Sequence, residues 1–345
     1  MRFLTIYVKI RLIWTKFKQK TMKCPIKLWK LSVRYVIMYI EHVSNFVYPA
    51  RKTKFGYEGV FMKYCLFNPL ANNHAGTAKK EEIIKKIGDA VEIDVTKKSE
   101  KEMRDFVKGL DKAEDTIYLV GGDGTLQKFA NCVYGEELPT VVFCPAGTGN
   151  DFCNDLGKDL VADGMVEVNK YLKRLPSVTI DGKTCKFING IGYGIDGVCC
   201  EVADEQRGKS DKPINYTAIA IQQCLYKFKR RSADVTVDGV TKHYKNVWIC
   251  PTMNGKFYGG GMMVAPAQNR LNEKNTVTVV VAHTASRLRM LITFPGIFTG
   301  KHVNSPIVDI IEGKEVTVSF SRPCALQIDG ETVRNVSSYT VKTED

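Results

Sequence analysis

The sequence predicts a two-part α/β fold, in which a parallel sheet flanked by helices precedes a mostly antiparallel, β-rich part. Three observations support this prediction. From residue 62 to about residue 176, short apolar strands alternate with amphipathic helices, whereas short strands dominate beyond that point. Asp-Gly pairs, which favour tight hairpin turns, separate several of the later strands. Glycine-bearing turns follow three of the early strands.

The first part, residues 62–176, has the regular order of a parallel sheet. Helices are predicted at 76–88, 100–110 and 125–134, and a further helix begins at Asp151. Strands separated by helices of this length indicate right-handed βαβ units and a Rossmann-like sheet. The predicted strands are rich in β-branched and aromatic residues and lie at 63–67, 91–95, 116–120 and 140–144.

The second part, residues 177–345, has the pattern of a β-sandwich with one clear helix at about 216–229. The strands after about Leu326 either stay in this part or return to the first sheet. A cleft between the two parts is the expected active site. Its strands are predicted at 177–180, 235–237, 246–250, 276–282 and 315–320, with turns at Asp181–Gly182, Asp238–Gly239 and Asp329–Gly330.

The charge distribution argues against a nucleic-acid-binding protein. The chain of 345 residues has a net charge of +13, from 50 Lys and Arg against 37 Asp and Glu. Of these, 13 basic and 2 acidic residues fall in residues 1–60, which leaves 37 and 35 for the rest. The folded part is therefore almost neutral and lacks the basic footprint that binds DNA or RNA.

Residues 1–61 form a basic N-terminal extension with no acidic residue before Glu41. Aromatic residues alternate with Lys and Arg, and no apolar run is long enough to span a bilayer. The segment is either an interfacial helix on anionic lipid, a disordered extension, or the product of a start codon upstream of the natural start at Met62. The 11 cysteines include no CxxC pair, so reduced thiols in a cytoplasmic protein are expected, without zinc.

The sharpest motif is GGDGT at 121–125, which follows the third predicted strand. Its three glycines let the backbone turn tightly and bring N–H groups against phosphate oxygens at the start of a helix. Asp123 can orient Mg²⁺ or a phosphate, and Thr125 can cap the helix or bind phosphate. The loop is not a Walker loop, because the Lys-Ser/Thr pair is missing.

Two further turns follow neighbouring strands. PAGTGNDF at 145–152 follows the fourth strand, and Asn68-Pro69 with Gly76 follows the first. In a doubly wound sheet, such turns gather at the carboxyl edge of the strands, where ligands bind. Three polar loops at the ends of three strands therefore predict one phosphate-binding site.

The motif series resembles the catalytic domain shared by diacylglycerol kinases, sphingosine kinases and bacterial lipid kinases. After GGDGT and PAGTGNDF come NGIGYGID at 189–196, GGGM at 259–262 and Ala265-Pro266. GKH at 300–302 and QIDGE at 327–331 complete the series in the family's order. GGDGT alone also occurs in NAD kinases and phosphofructokinases. The resemblance extends from Met62 to the C-terminus.

The resemblance implies an ATP- and Mg²⁺-dependent lipid kinase, with diacylglycerol as the most frequent acceptor in the family. It implies Glu331 as the general base with Asp329 beside it, and Asp123 as the carboxylate that organises phosphates and Mg²⁺. A membrane lipid at the bilayer surface is the implied partner of a cytoplasmic, peripherally bound enzyme, and a homodimer is one option. The nucleotide-binding residues would be Asn68, Gly121, Gly122, Gly124, Thr125, Gly147, Thr148, Asn150 and Asp151.

Two departures from the family pattern stand out. Where the family usually has Asn-Glu shortly after GGDGT, this chain has Gln127 and Lys128. The stretch 268–273, where some relatives bind a structural Mg²⁺, holds a single carboxylate, Glu273. These changes keep two alternatives open: an NAD kinase-like enzyme with a soluble substrate, and a membrane-associated nucleotide-binding protein with weak catalysis.

Two basic and apolar stretches allow more than one interpretation. Residues 287–298 place an apolar run after two arginines, and residues 227–231 hold four basic residues. The first is either buried core or a segment that dips into a bilayer to reach a lipid. The second is either a solvated helix end or a contact for lipid phosphates.

Overall fold

The computed structural model describes residues 52–53, 56–57, 61–74, 76–157, 163–207 and 216–343. The chain divides into two compact units, residues 1–60 and 61–345. In the first unit, the short strands Lys52–Thr53 and Gly56–Tyr57 pair antiparallel. The rest of the predicted N-terminal extension lies outside the described residues. Everything below concerns the second unit.

A five-stranded sheet with the predicted parallel pairing opens the second unit. Its strand order is β2-β1-β3-β4-β5, in which the first four strands are parallel and β5 is antiparallel to β4. The strands are β1 (Lys63–Phe67), β2 (Val91–Asp94), β3 (Thr116–Gly121), β4 (Thr140–Pro145) and β5 (Val166–Glu167). The main helices are α1 (Gly76–Ile87), α2 (Glu100–Lys108), α3 (Asp123–Val133) and α4 (Asp151–Leu156), with shorter ones at Ala71–His74, Val95–Lys97 and Asn169–Leu172.

Helices cover both faces of this sheet. On one face, Cys65 and Val120 pack with Ile83 and Ile87 of α1. On the other face, residues of β1, β3 and β4 pack with side chains of α2 and α3 such as Val107. Because successive strand side chains point to opposite faces, the near-continuous apolar runs of these strands fill both cores at once.

Local sequence signals place the helix ends. The Ser99 side chain accepts a hydrogen bond from the N–H of Glu102, whose carboxylate accepts one from the N–H of Ser99, so a capping box begins α2. Helix α1 ends just before Gly88, which has a φ of 78°. The predicted helix at 125–134 begins two residues earlier, at Asp123, directly after the Gly121-Gly122 turn.

The second sheet has ten strands and is antiparallel. The three predicted Asp-Gly turns are present, and both residues of each have positive φ, as two-residue hairpins require. The strand order is β8-β11-β12-β10-β9-β14-β15-β6-β7, and β13 pairs with β12. The strands are β6 (Ser177–Ile180), β7 (Lys183–Lys186), β8 (Gly190–Tyr193), β9 (Arg231–Val237), β10 (Val240–Ile249), β11 (Thr252–Met253), β12 (Val277–His283), β13 (Val308–Gly313), β14 (Glu315–Ile328) and β15 (Glu331–Lys342).

The long strand β14 closes this sheet on itself. Its first half pairs with β9, and its last residues pair with β8, after shifts in register between Ser319 and Leu326. The last two strands therefore belong to the second sheet and do not return to the first. Around Trp248, Tyr193 and Tyr339, the closed sheet encloses the largest hydrophobic core in the described residues.

The second part contains more helix than the sequence predicted. Helix α5 (Ile195–Arg207) and helix α7 (Arg287–Thr293) fall where strands or core were expected. The predicted helix at 216–229 consists of α6 (Tyr216–Gln222) followed by a π-helical turn, Gln223–Lys227. Among the described residues, no helix is both long and apolar enough to cross a bilayer. Short strands at Phe257–Tyr258 and Met262–Met263 and 3₁₀ turns at Phe294–Phe298 and Lys301–Asn304 complete the fold.

Candidate functional site

The three predicted loops meet at the carboxyl edge of the parallel sheet. The side-chain amide of Asn68 donates to the Thr125 hydroxyl over 3.0 Å, which joins the loop after β1 to the loop after β3. The N–H of Ala146 donates to the carbonyl of Gly121 over 2.7 Å, which joins the loops after β3 and β4. The structure therefore brings together loops that are far apart in sequence.

Glycine allows two of these loops to touch through their backbones. A Cβ atom added to Gly147 would lie 2.8 Å from the Cα atom of Gly122, closer than real Cβ contacts come. A Cβ atom on Gly121 would lie 2.5 Å from the Thr125 side chain. Gly124 differs, because no atom lies within 4 Å of its added Cβ. Gly121, Gly122 and Gly147 are thus needed for packing, whereas Gly124 faces open space.

Asp123 lies at the start of α3 and is held by the second loop. Its carboxylate accepts hydrogen bonds from the N–H of Asp151 over 2.9 Å and of Phe152 over 3.2 Å. The same side chain lines the main cavity of the described residues. A cavity-lining carboxylate at a helix N-terminus is an oxygen donor of the kind that Mg²⁺ prefers, so Asp123 fits the predicted cation.

The other residues of the PAGTGNDF loop divide into supporting and cavity-lining groups. Asn150 has a positive φ of 50°, and its side-chain amide both accepts from and donates to the backbone of Gly147. Asp151 is buried, and its carboxylate accepts from the N–H groups of Gly260 and Gly261 over 2.8 and 2.7 Å. Burial raises the pKa of Asp151, and the two amide donors oppose that shift. Thr148 is exposed at the cavity.

The main cavity has a volume of about 450 Å³ and a lining of mixed chemistry. The polar residues of its lining include four carboxylates, those of Asp123, Asp151, Asp196 and Asp329, together with Thr148. Most of the remaining lining is apolar, so the cavity can accept a molecule that has both a polar group and a hydrocarbon portion. The apolar part of the lining, which we call the apolar end, includes Ile195, Ala220, Ile249, Met262, Phe294, Ile297 and Phe298.

Asp329 occupies the third Asp-Gly turn, directly before Glu331. Its carboxylate accepts backbone hydrogen bonds from Ile188, Asn189 and Gly190 at 2.6, 2.7 and 3.0 Å. Burial is the main cause that raises the pKa of Asp329 to about 6, and the three N–H donors oppose it. This turn is therefore anchored across the fold, whereas Asp181 in the first Asp-Gly turn is exposed.

Glu331 is placed differently from the four carboxylates that line the cavity. It is exposed, it is not among the cavity-lining residues, and its carboxylate pairs with Lys128 Nζ over 2.9 Å. Lys128 occupies the position where the family pattern has a carboxylate. This departure from the family pattern therefore places an ammonium group against Glu331, the predicted base. Gln127, the other departure, is buried, and its amide points to the carbonyl of Lys186 at 3.4 Å.

Four polar residues that line the cavity were not predicted as site residues: Asn189, Asp196, Tyr258 and Gln327. Asp196 is buried, and one of its carboxylate oxygens accepts from the Tyr258 hydroxyl over 2.8 Å. Its other oxygen and the side-chain N–H₂ of Gln327 are buried without a hydrogen-bond partner among the described residues. Burial raises the pKa of Asp196 to about 6. Asp196 and Gln327 both stand in quoted motifs, but no local signal indicated that they meet.

A second, more open cavity lies on the other side of the glycine loops. It has a volume of about 330 Å³ and is lined by Asn72 and Lys79 on one side and by 145–147 on the other. Its position beside β1, α1 and the loop after β4 is where a ligand at the carboxyl edge of a parallel sheet would extend. The glycine loops therefore separate two cavities of different character.

Arg270 lies in the stretch where some relatives bind a structural cation. Its guanidinium pairs with Asp155 of α4 and donates to the carbonyl of Ile188 over 2.5 Å and to the side chain of Asn189 over 2.6 Å. Both members of the ion pair are almost fully buried. In the described residues, no group of three or more His, Cys, Asp or Glu side chains is placed to hold a metal ion.

Two family profiles match the chain in consecutive order. Residues 64–177 match the diacylglycerol kinase catalytic domain, and residues 189–342 match the YegS C-terminal NAD kinase beta sandwich-like domain. The boundary between the matches falls where the parallel sheet ends and the antiparallel sheet begins. The resemblance inferred from the motifs is therefore confirmed across both parts.

Individual relatives agree with this assignment. The chain is 26% identical over 224 residues to a diacylglycerol kinase of Mycobacterium tuberculosis, covering 60% of this chain and 67% of that protein. It is 22% identical over 223 residues to a diacylglycerol kinase of Bacillus subtilis, covering 63% and 71%. A solved structure of a diacylglycerol kinase from Bacillus anthracis has the same fold, with a TM-score of 0.54 at 18% identity, covering 85% of this chain and 95% of that one.

Proposed function

Because the chain belongs to the bacterial-type diacylglycerol and lipid kinase family and is a lipid kinase, we propose that it transfers the γ-phosphate of ATP to a lipid hydroxyl, most simply that of diacylglycerol. The observation that carries the proposal is the cavity beside the glycine loops, whose lining combines carboxylates with apolar side chains. An acceptor with one hydroxyl and a hydrocarbon tail matches this combination.

The donor nucleotide would lie on the glycine-loop side. Backbone N–H groups at a helix N-terminus favour phosphate, and Gly124 has open space above it. The open cavity beside Asn72 and Lys79 would take the rest of the nucleotide. Mg²⁺ held by Asp123 and the phosphates would neutralise the charge that develops on the leaving group.

The acceptor hydroxyl would be activated by Glu331. Its carboxylate is exposed near the turn that Asp329 anchors, and it is not engaged by backbone groups of that turn. Asp329 has three backbone N–H donors on its two oxygens, so its role in the proposal is to position the turn. The apolar end of the cavity would exclude water from the transferring phosphoryl group.

The test is transfer of labelled γ-phosphate from ATP, with Mg²⁺, to lipids in mixed micelles. The panel contains diacylglycerol, sphingosine, ceramide and phosphatidylglycerol, with NAD as the soluble acceptor. One labelled lipid is expected, and Glu331→Gln should lower its turnover by about 10²–10⁴-fold. Glu315→Gln is the matched control, because Glu315 is also exposed and pairs with a lysine, Lys342, over 3.1 Å.

Asp329→Asn separates positioning from base catalysis. Both oxygens of Asp329 accept backbone N–H groups, so the amide N–H₂ of asparagine would face at least one of these donors and the unfolding free energy should fall. Glu331→Gln should leave the unfolding free energy unchanged. Labelling of NAD in place of every lipid would contradict the proposal. Full lipid transfer by Glu331→Gln would remove Glu331 from the mechanism.

A second candidate, nucleotide binding with weak turnover, is favoured by one observation. Lys128 Nζ lies 2.9 Å from the carboxylate that should accept the proton. If that ion pair restrains the base, Lys128→Gln should raise turnover. If Lys128 instead contributes a positive charge to the reaction, the same variant should lower turnover while ATP binding persists.

A further inference from the structure

Exposed apolar side chains are concentrated on two segments beside the cavity. Ten large hydrophobic residues are exposed in the described part of the chain, and five of them belong to α6 with its π turn and to α7 with its 3₁₀ turn. The five are Ile221, Tyr226, Leu288, Ile292 and Phe298, and we call them the apolar face. Tyr226, Leu288 and Ile292 are 76%, 67% and 72% exposed, which is unusual for side chains grouped on ordered helices.

Hydrogen bonds join the two segments to each other. The guanidinium of Arg287 donates to the carbonyl of Cys224 over 2.5 Å and to that of Phe228 over 3.0 Å, at the end of the π turn. Met290 is buried beneath α7, whereas Leu288 and Ile292, four residues apart on one side of the helix, are exposed. The apolar face is therefore presented by packed structure and not by a frayed end.

The same segments are strongly basic. Residues 216–233 and 284–308 contain seven Lys and Arg residues and no Asp or Glu. Four of the seven are exposed: Lys227, Lys229, Arg289 and Lys301. This contrasts with the near neutrality of residues 61–345 as a whole. Apolar side chains bordered by cations complement a bilayer that carries anionic head groups.

The inner sides of these segments line the cavity. Ala220 comes from α6, and Phe294, Ile297 and Phe298 come from the 3₁₀ turn after α7. Phe298 both lines the cavity and is 44% exposed on the apolar face. The apolar end of the cavity and the apolar face are therefore continuous through these two segments.

We propose that the apolar face, with Lys227, Lys229, Arg289 and Lys301 around it, docks on an anionic lipid bilayer and that lipid passes from there into the apolar end of the cavity. The proposal of docking depends only on the apolar face and the cations around it, whereas the proposal of lipid entry rests on the proposed function. On this proposal, the hydrocarbon chain moves from bilayer to cavity without crossing water, so its transfer costs little.

The docking test is made with the full chain and without ATP. Sedimentation with vesicles measures binding to phosphatidylcholine alone and to phosphatidylcholine mixed with phosphatidylglycerol. Binding is expected only to the mixture. The double variant Leu288→Glu/Ile292→Glu should bind about tenfold or more weakly, because two exposed apolar side chains that would enter the bilayer are replaced by carboxylates. The control is Val240→Glu, since Val240 is 75% exposed on a hairpin outside the face.

Hydrogen–deuterium exchange identifies the segment that docks. Because residues 1–60 carry 13 Lys and Arg, they also could hold anionic vesicles. Vesicles should slow exchange in 216–233 and 284–301 and leave the hairpin at 237–240 unchanged. Binding that protects only residues before 61, or equal binding by Leu288→Glu/Ile292→Glu and by Val240→Glu, would overturn the docking proposal.

Lipid entry is tested separately from docking. The double variant should lose transfer to diacylglycerol in vesicles yet keep transfer to a short-chain diacylglycerol dissolved as monomers, since its cavity is unchanged. Equal loss on both acceptors would contradict entry through this face. If the wild-type chain phosphorylates no lipid in either form, the proposed function fails, while the sedimentation and exchange results still decide docking.

Discussion

The two sides of the candidate site are built in different ways. On the glycine-loop side, backbone groups touch directly, as at Gly122 and Gly147, and polar side chains such as Asn68 are hydrogen-bonded. In the cavity, Asp196 and Gln327 each have a buried polar atom that lacks a hydrogen-bond partner within the described part of the chain. The first side is suited to a ligand of constant shape, such as a triphosphate. The second leaves polar groups that a bound molecule can satisfy.

This difference indicates where specificity lies. On the proposed function, the backbone of the glycine loops would bind the nucleotide phosphates and not the acceptor, so it would not distinguish one lipid from another. A buried carboxylate and a buried amide in the cavity can distinguish one acceptor from another. An acceptor that leaves them unpaired binds more weakly than one that forms hydrogen bonds with them. Acceptor choice should therefore respond to Asp196 and Gln327 more than to any glycine loop.

The largest expected effect comes from Arg270, which joins α4 on the loop side to Ile188 and Asn189 on the cavity side. Arg270→Leu leaves the buried Asp155 carboxylate with only a distant, partly exposed partner, Lys256 Nζ at 3.9 Å, so the unfolding free energy should fall by about 3–5 kcal/mol. Chemical denaturation measures this. Arg334→Leu is the control, since Arg334 forms only an exposed pair with Glu201 at 3.4 Å and should cost less than about 1 kcal/mol.

The double variant Asp155→Leu/Arg270→Leu sharpens the comparison. With both charges removed, no buried charge is left unpaired, so part of the lost stability should return. If Arg270→Leu unfolds at the same denaturant concentration as wild type, the two sides of the site are not held together through this ion pair.

The second effect is a pH dependence in the cavity. The pKa of Asp196 is raised from 3.8 to about 6, so the folded protein holds this proton more tightly than the unfolded chain does. The contribution of this proton to the stability of the folded state is complete below about pH 4 and is lost as the pH rises through about 6. The unfolding free energy of Asp196→Asn should equal that of wild type at acidic pH and exceed it by roughly 3 kcal/mol at neutral pH.

Denaturation at a series of pH values measures this difference. Asp181→Asn, in an exposed Asp-Gly turn outside the cavity, is the control for the substitution itself. A constant difference between Asp196→Asn and wild type across the series would mean that Asp196 does not titrate in this range. The Tyr258 hydroxyl can still donate to the new amide oxygen, so its hydrogen bond is preserved.

The smallest effects separate packing from ligand contact in the glycine loops. Gly147→Ala places a Cβ atom 2.8 Å from the Cα atom of Gly122. It should therefore lower the unfolding free energy by about 1–3 kcal/mol and weaken ATP binding. Gly124→Ala meets no atom within 4 Å, so stability should hold or rise slightly. If the nucleotide lies where we propose, Gly124→Ala should still weaken ATP binding, as titration would show. Unchanged affinity would move the nucleotide away from this loop.

Prediction succeeded best where the controlling interactions were local. The start of α2 at Glu100 and the three Asp-Gly hairpins were predicted, because the capping box of Ser99 and Glu102 spans only four residues and each turn is a dipeptide. Helix α5 was missed because its first turn stands inside a glycine-rich motif. The placement of β15 stayed open because strand pairing depends on partners such as β6, which begins at Ser177.

The two-part fold, the three loops and the family could be predicted, because glycine turns, strand and helix periodicity and motif order are local properties of the chain. Three features became apparent only in the folded protein: Asp329 anchors a turn, Lys128 faces Glu331, and residues from Ile195 to Gln327 enclose one chamber. Contacts between such distant residues depend on how the second sheet closes on itself. That closure is a long-range property, and no short stretch of sequence encodes it.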